Sequence, residues 1–168
     1  NVLFGQEVMP HINNKSNVVS MLPTAHMYGM MFEFLFEMTL GSHVHFLTRV
    51  PSPRIIMEAF AAIKPDIIIS VPLVIEKIYK QKLQPILNKM SMKVLLQLPF
   101  IDQLLEQRIK DELVKTFGGK FYEVIIGGAA FNREADEFFN KIHFPYTVGY
   151  GMTECAPIIS YAPWNQAR

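Results

Sequence analysis

The sequence predicts an α/β fold, a largely parallel sheet of about five strands with helices on both faces, in a single subdomain spanning residues 1–168. Three observations carry this. Asp66–Val71 (DIIISV) is β-branched without polar alternation, the mark of a strand buried on both faces of a parallel sheet. Similar short apolar runs recur and alternate with segments long enough for helices, which is the order of right-handed βαβ crossovers. The composition, 50% hydrophobic, 12% aromatic and 18% charged over 168 residues, describes a globular chain able to bury a core.

The elements follow in order. Asn17–Leu22 is an apolar strand stopped by Pro23. Ala25–Leu40 reads as a helix with Glu33 and Glu37 four apart on one face, and Gly41 stands at its C-terminal cap. His43–Leu47 is the second strand. Ser52 and Pro53 form a helix start, N-cap then first residue, for Arg54–Ile63, and Pro65 ends it. Asp66–Val71 is the third strand, stopped by Pro72. Leu73–Leu87 is helical, bent or ended by Pro85. The stretch Gln81–Phe100 is Met- and Leu-rich and the least regular. Asp102–Phe117 is amphipathic: Leu105, Ile109 and Leu113 make an apolar stripe, and Glu106/Lys110 and Asp111/Lys115 are spaced to pair. Tyr122–Ile126 is the fourth strand, Asn132 caps a helix to Ile142, and Tyr146–Tyr150 is the fifth strand.

Charge and cysteine usage exclude several classes. Sixteen basic against 15 acidic residues leave +1, which argues against a strongly basic nucleic-acid or membrane-surface binder. Charges interrupt every long apolar stretch, so no segment reads as membrane-spanning. The lone Cys155 excludes an internal disulfide, makes the reduced cytoplasm the default compartment, and is expected to be a buried thiol. His43 and His45 face one side of their strand but lack a third metal ligand at recognisable spacing.

Ligands of open α/β sheets bind beyond the carboxyl ends of the strands, so chemistry is expected at Pro23–Gly29, Pro72–Leu73, Gly127–Phe131 and Gly149–Cys155. In Ile126–Phe131 (IGGAAF), Gly128, Ala129 and Ala130 let a ligand approach the backbone; the same residues also suit a tight strand-to-helix turn. In Val148–Cys155 (VGYGMTEC), Tyr150 between Gly149 and Gly151 offers a flat face, and Met152 leads to the Thr153 hydroxyl and the Glu154 carboxylate. That pair can serve a phosphoryl group and Mg²⁺, or cap a helix. His26, in Leu22–Gly29 (LPTAHMYG), is a structural histidine by its own chemistry and gains interest from sharing the carboxyl edge with the other two motifs.

LPTAHMYG, VPLVIEKIY, IIGGAAF and VGYGMTECAPIIS, in this order, resemble the adenylate-forming superfamily, and within it the long-chain fatty-acid–CoA ligases (acyl-CoA synthetases). The resemblance covers nearly the whole chain and is weakest over Gln81–Phe100. It implies a two-step reaction, carboxylate plus ATP to acyl-AMP and pyrophosphate, then thioester formation with CoA. It also implies roles: Thr153 on the α-phosphate, Glu154 on Mg²⁺, Tyr150 stacked on adenine, Gly128, Ala129 and Ala130 along the adenine and acyl carboxylate, and His26 at the acyl-carboxylate end. Gly149, Gly151 and Met152 belong to the same nucleotide motif. The family's phosphate loop ending Pro-Lys-Gly, its ribose-binding Asp and its C-terminal domain with the catalytic Lys do not occur here. The expectation is therefore an internal piece of a larger AMP-binding domain, inactive alone, peripheral at most to the inner membrane face and prone to self-associate through exposed apolar surface. An adenylation domain loading a carrier protein with an acyl or aryl acid would keep the same core. A non-catalytic flavodoxin-like binding domain would need its glycines only as turns.

Overall fold

β1 (Asn17–Ser20), β2 (His43–Phe46), β3 (Ile67–Ser70), β4 (Glu123–Ile126) and β5 (Tyr146–Val148) form one parallel sheet, in the order β2-β1-β3-β4-β5. This is a computed structural model, and it describes residues 1–87 and 101–166. Residues 88–100 of the irregular stretch lie outside the described residues. The strand order is the one shared by flavodoxin-like sheets, so topology alone does not separate a catalytic from a purely binding domain.

Alternation along the strands explains why they read as unbroken apolar runs. Val19, Ile68, Val124 and Ile126 face one layer of helices, while Val18, Ile67, Ile69 and Ile125 face the other. The first layer comprises α4 (Pro53–Ile63), α5 (Pro72–Ile78), α7 (Ile101–Thr116) and α8 (Arg133–Lys141), which contribute Phe60, Ile75, Leu113 and Phe139. The second comprises α1 (Val2–Val8), which the sequence patterning did not announce, and the helix after β1.

That helix starts at α2 (Met27–Gly29), widens to π-helix over Met30–Leu35 and returns to α-helix in α3 (Phe36–Leu40), ending at Gly41 in the left-handed region (φ +71°). The Ser52 hydroxyl accepts from Ile55 N (3.4 Å) and Asn132 Oδ1 from Ala135 N (3.1 Å), as expected of N-caps. Pro85 neither ends nor visibly breaks its helix: α5 passes through a π-helical stretch, Tyr79–Leu83, into α6 (Gln84–Leu87). A wider turn before the proline relieves the clash its ring would make one turn back.

Several expectations are corrected. The fifth strand ends at Val148, and Tyr150 belongs to a separate antiparallel pair, β6 (Tyr150–Gly151) with β7 (Ile158–Ser160). Glu106 bridges to Lys141 of α8 (2.9 Å) rather than to Lys110, and Asp111 accepts from Gln107 (2.8 Å) rather than meeting Lys115. The Glu106–Lys141 bridge ties two helices of the same layer together, while Asp111 keeps its contact within its own helix. Cys155 is exposed, because it ends a surface turn. Among the described residues no helix is long and apolar enough to cross a membrane. Phe4 and Ile159 are exposed and line one shallow groove.

Candidate active site

A cleft of about 260 Å³ opens over the carboxyl ends of β1, β4 and β5. Its wall comes from three distant segments: His26 and Tyr28 after β1, Gly127 and Gly128 after β4, and Gly149 through Glu154 after β5, with Pro157 and Ile158 closing the side. Three of the four stretches expected at the carboxyl edge therefore converge. The fourth, Pro72–Leu73, is absent from the lining, because α5 begins directly at Pro72 and carries the chain into the opposite helix layer.

Each wall has a local cause. The turn after β4 needs glycine at position 128, whose φ is +87°, and it needs a bare position 127. A Cβ on Gly127 would stand 3.0 Å from Tyr28 Cζ, so the missing side chain is what lets the Tyr28 ring lie under the cleft. Tyr28 then donates to Ile125 O (3.2 Å). Burial, followed by the nearby Glu33 carboxylate, pushes its phenol up, so it stays a neutral donor.

The wall after β5 is a hairpin. Gly149 N donates to Ile126 O (2.9 Å), after which the chain turns away from the sheet as β6. Thr153–Cys155 forms a 3₁₀ turn, and Ala156 closes it at φ +59°. Met152 N donates to Pro157 O (2.8 Å). The two strands approach so closely that a Cβ on Gly151 would lie 1.9 Å from Pro157 O. Tyr150, Met152, Thr153 and Glu154 are all exposed at the rim.

His26 caps α2, its Nδ1 accepting from Tyr28 N (3.2 Å). That bond assigns the neutral ring's proton to Nε2, the nitrogen left to donate elsewhere.

Beneath the His26 loop lies a feature the sequence did not reveal. Glu33 is buried and accepts from Ser20 Oγ (3.1 Å), Met21 N (3.1 Å) and Leu22 N (2.9 Å), so it ties the end of β1 where the His26 loop begins. Burial pushes its carboxyl up to about 7, the three donors opposing that rise and the Glu37 charge adding to it. Glu37 is also buried, and neither oxygen has a hydrogen-bond partner; the nearby Ser42 hydroxyl donates to Asn13 O instead. Burial pushes Glu37 up to about 7 as well. The i,i+4 spacing placed both glutamates on one helix face but did not say that this face packs against the sheet.

His26, Gly128, Gly149, Tyr150, Gly151, Met152, Thr153 and Glu154 thus line one cleft, while Ala129 and Ala130 are exposed beside it without lining it. Tyr28, Ile125, Gly127, Pro157 and Ile158 line it too and were not singled out. Tyr28 and Gly127 sat inside the motifs; Ile125 is recoverable from strand alternation, which puts it on the Tyr28 side. His43 is exposed and His45 Nε2 meets Asn17 Oδ1 (2.9 Å). Among the described residues no three His, Cys, Asp or Glu side chains converge as a metal cage. Among the described residues, Glu154 is the one carboxylate of the cleft lining, with the Thr153 hydroxyl beside it in sequence. One carboxylate fits Mg²⁺, which is held by one or two carboxylates together with substrate phosphates and water.

The profile of the family described as "AMP-binding enzyme" matches residues 1–168. Among curated proteins, the chain is 29% identical over 167 residues to long-chain-fatty-acid–CoA ligase 3 of Saccharomyces cerevisiae, covering 89% of this chain and 23% of that protein. It is 26% identical over 176 residues to long-chain-fatty-acid–CoA ligase 1 of the same yeast, covering 94% and 25%. The chain therefore spans about a quarter of the length of these relatives. Among solved structures, apo MatB from Rhodopseudomonas palustris superposes with a TM-score of 0.66 at 20% identity, covering all of this chain and 27% of that one, a likeness of fold.

Proposed function

The chain belongs to the AMP-binding enzyme family, and from that premise we propose that it forms the nucleotide-facing part of a longer, Mg²⁺-dependent fatty-acid–CoA ligase. One observation carries the reading. His26, Tyr150, Thr153 and Glu154, from segments more than a hundred residues apart, line a single cleft at the carboxyl edge of the sheet. The likeness to long-chain-fatty-acid–CoA ligases supports the choice of substrates.

In the first half-reaction a carboxylate oxygen of the acid attacks the α-phosphorus of ATP. The bond to the β-phosphate oxygen breaks, and pyrophosphate leaves with the electron pair. In the second, the CoA sulfur attacks the acyl carbonyl carbon and AMP leaves. Thr153 donates its hydroxyl to an α-phosphoryl oxygen, a preorganised contact at a centre gaining charge. Mg²⁺, when bound at Glu154, neutralises phosphate charge. Tyr150 presents an exposed ring to adenine, Gly149 keeps the space beside it clear, and the bare Gly151 lets the hairpin strands approach. Gly128, with Ala129 and Ala130 behind it, brings backbone rather than side chain to the ligand. His26 donates from Nε2 toward the acyl carboxylate and orients it.

The test uses the full-length protein with ATP, Mg²⁺, CoA and a panel of fatty acids, numbering residues as here. Acyl-CoA and AMP are expected, and Thr153→Ala and Glu154→Gln should each cut acyl-AMP formation about a hundredfold, in keeping with loss of one transition-state contact. No product with any acid, or full activity in both variants, overturns the reading. Transfer to a phosphopantetheine carrier in place of CoA would keep the adenylation chemistry and replace the acceptor.

A further inference from the structure

Asn1 immediately precedes α1, and its side chain bonds none of that helix's amides. Its carboxamide reaches the end of the 3₁₀ turn and the start of β7 instead: Nδ2 donates to Cys155 O (3.0 Å) and Oδ1 accepts from Ile158 N (3.0 Å). These two peptide groups flank the end of the turn that carries Thr153 and Glu154. Both partners lie more than 150 positions away, so these contacts are made by the tertiary fold and not by local sequence.

We propose that Asn1 is a positioning residue, setting the Thr153–Glu154 turn relative to α1 and hence the placement of the hydroxyl and carboxylate in the cleft. This rests on the ligase reading for its kinetic consequence, though not for the tie itself. The turn's own bonds are internal: Met152 N to Pro157 O (2.8 Å), Cys155 N to Met152 O (2.9 Å) and Ala156 N to Thr153 O (3.2 Å). They give the turn its shape but do not aim it. Asn1 supplies hydrogen bonds to a neighbouring element, and that element is itself anchored. Gly5 lies so close under Phe36 that a Cβ would stand 2.9 Å from the ring, Met9 is buried just past the helix, and the Phe4 ring meets Tyr161 edge-on at 6.4 Å. Asn1 thus links a packed helix to an exposed turn. Both bonds go to backbone, so the tie is indifferent to the side chains at 155 and 158.

The experiment compares full-length wild type, Asn1→Ala and Asn1→Asp by hydrogen exchange and by steady-state kinetics. Asn1→Ala removes both bonds, so amides 152–158 should exchange about tenfold faster, the scale of one or two lost hydrogen bonds, while peptides of β3 and β4 keep their protection. Asn1→Asp keeps the acceptor and loses the donor, so its exchange should fall between. In Asn1→Ala the kcat for acyl-AMP formation should drop about tenfold to a hundredfold, with the KM for fatty acid unchanged, because a displaced hydroxyl and carboxylate act on the phosphates and not on the acyl chain. Unchanged exchange at 152–158 in both variants overturns the tie. So does a loss of activity that merely follows a general fall in melting temperature. A wild type that makes no acyl-AMP, with the exchange shift present, overturns the ligase reading and leaves the tie standing.

Discussion

β3 and β4 and the β6–β7 hairpin are both built from short strands a few residues apart in space, yet they are held by different forces. Every residue of β3 and β4 is buried between two helix layers. Their place is set by area removed from water, which is strong and non-directional. The hairpin exposes both residues of β6 and two of the three of β7. Its place is set by backbone bonds, a steric contact at Gly151 and the Asn1 carboxamide, which are individually weak and directional. Stability resides in the first region and, on the proposed ligase reading, ligand geometry in the second, because atoms that must meet a ligand cannot also be sealed in a core.

The comparison breaks if a core deletion disturbs the site more than the stability. Phe139 is fully buried among the rings of Tyr79, Phe131, Phe144 and Tyr146. Phe139→Ala should lower unfolding free energy by about 4 kcal/mol, measured by urea denaturation, while the fraction still folded keeps its kcat.

Glu33 and Glu37 are ionisable groups inside the core, and pH exposes them. Folded-state carboxyls near 7 lie above the unfolded range, so the native state holds protons that the unfolded state releases. Their contribution is fully present below about pH 4.5 and is lost as pH rises through about 7. Each carboxyl accounts for roughly 3 kcal/mol between those limits. Glu37→Gln removes one such group, and its urea midpoint should gain on wild type at pH 8 and lose that advantage at pH 5. Equal pH profiles for the two proteins would place the titration elsewhere.

Gly151→Ala sharpens the contrast from the other side. The added Cβ drives Pro157 away and shifts Thr153 and Glu154 with it, so acyl-AMP formation in the full-length protein should fall about a hundredfold. The unfolding free energy from urea denaturation should change by less than about 1 kcal/mol, since little apolar area is at stake. The smallest effect is at Asn132, an N-cap whose bond serves only its own helix: Asn132→Ala should cost about 1 kcal/mol and leave kinetics unchanged. Asn132 bonds only its own helix and Asn1 bonds a distant turn, so opposite kinetic outcomes would separate a cap from a strut.

Apart from α1 and the β6–β7 pair, strand and helix identities were legible from local pattern. β-branched runs, Ser52-Pro53, Gly41 and Asn132 act through neighbours in the chain, so their consequences can be read there. The convergence of three motifs on one edge followed from topology, since parallel strands point all their carboxyl ends the same way. What local pattern could not contain is anything settled by a distant partner. The departure of Tyr150 into β6 depends on Ile158–Ser160 being there to pair with it. The burial of Glu33 and Glu37 depends on which helix face meets the sheet, the exposure of Cys155 on the turn it ends, and the role of Asn1 on a peptide 154 residues away. Periodicity and caps are short-range and written in sequence. Hydrogen-bond partners across the fold are chosen only when packing brings them within about 3 Å of each other.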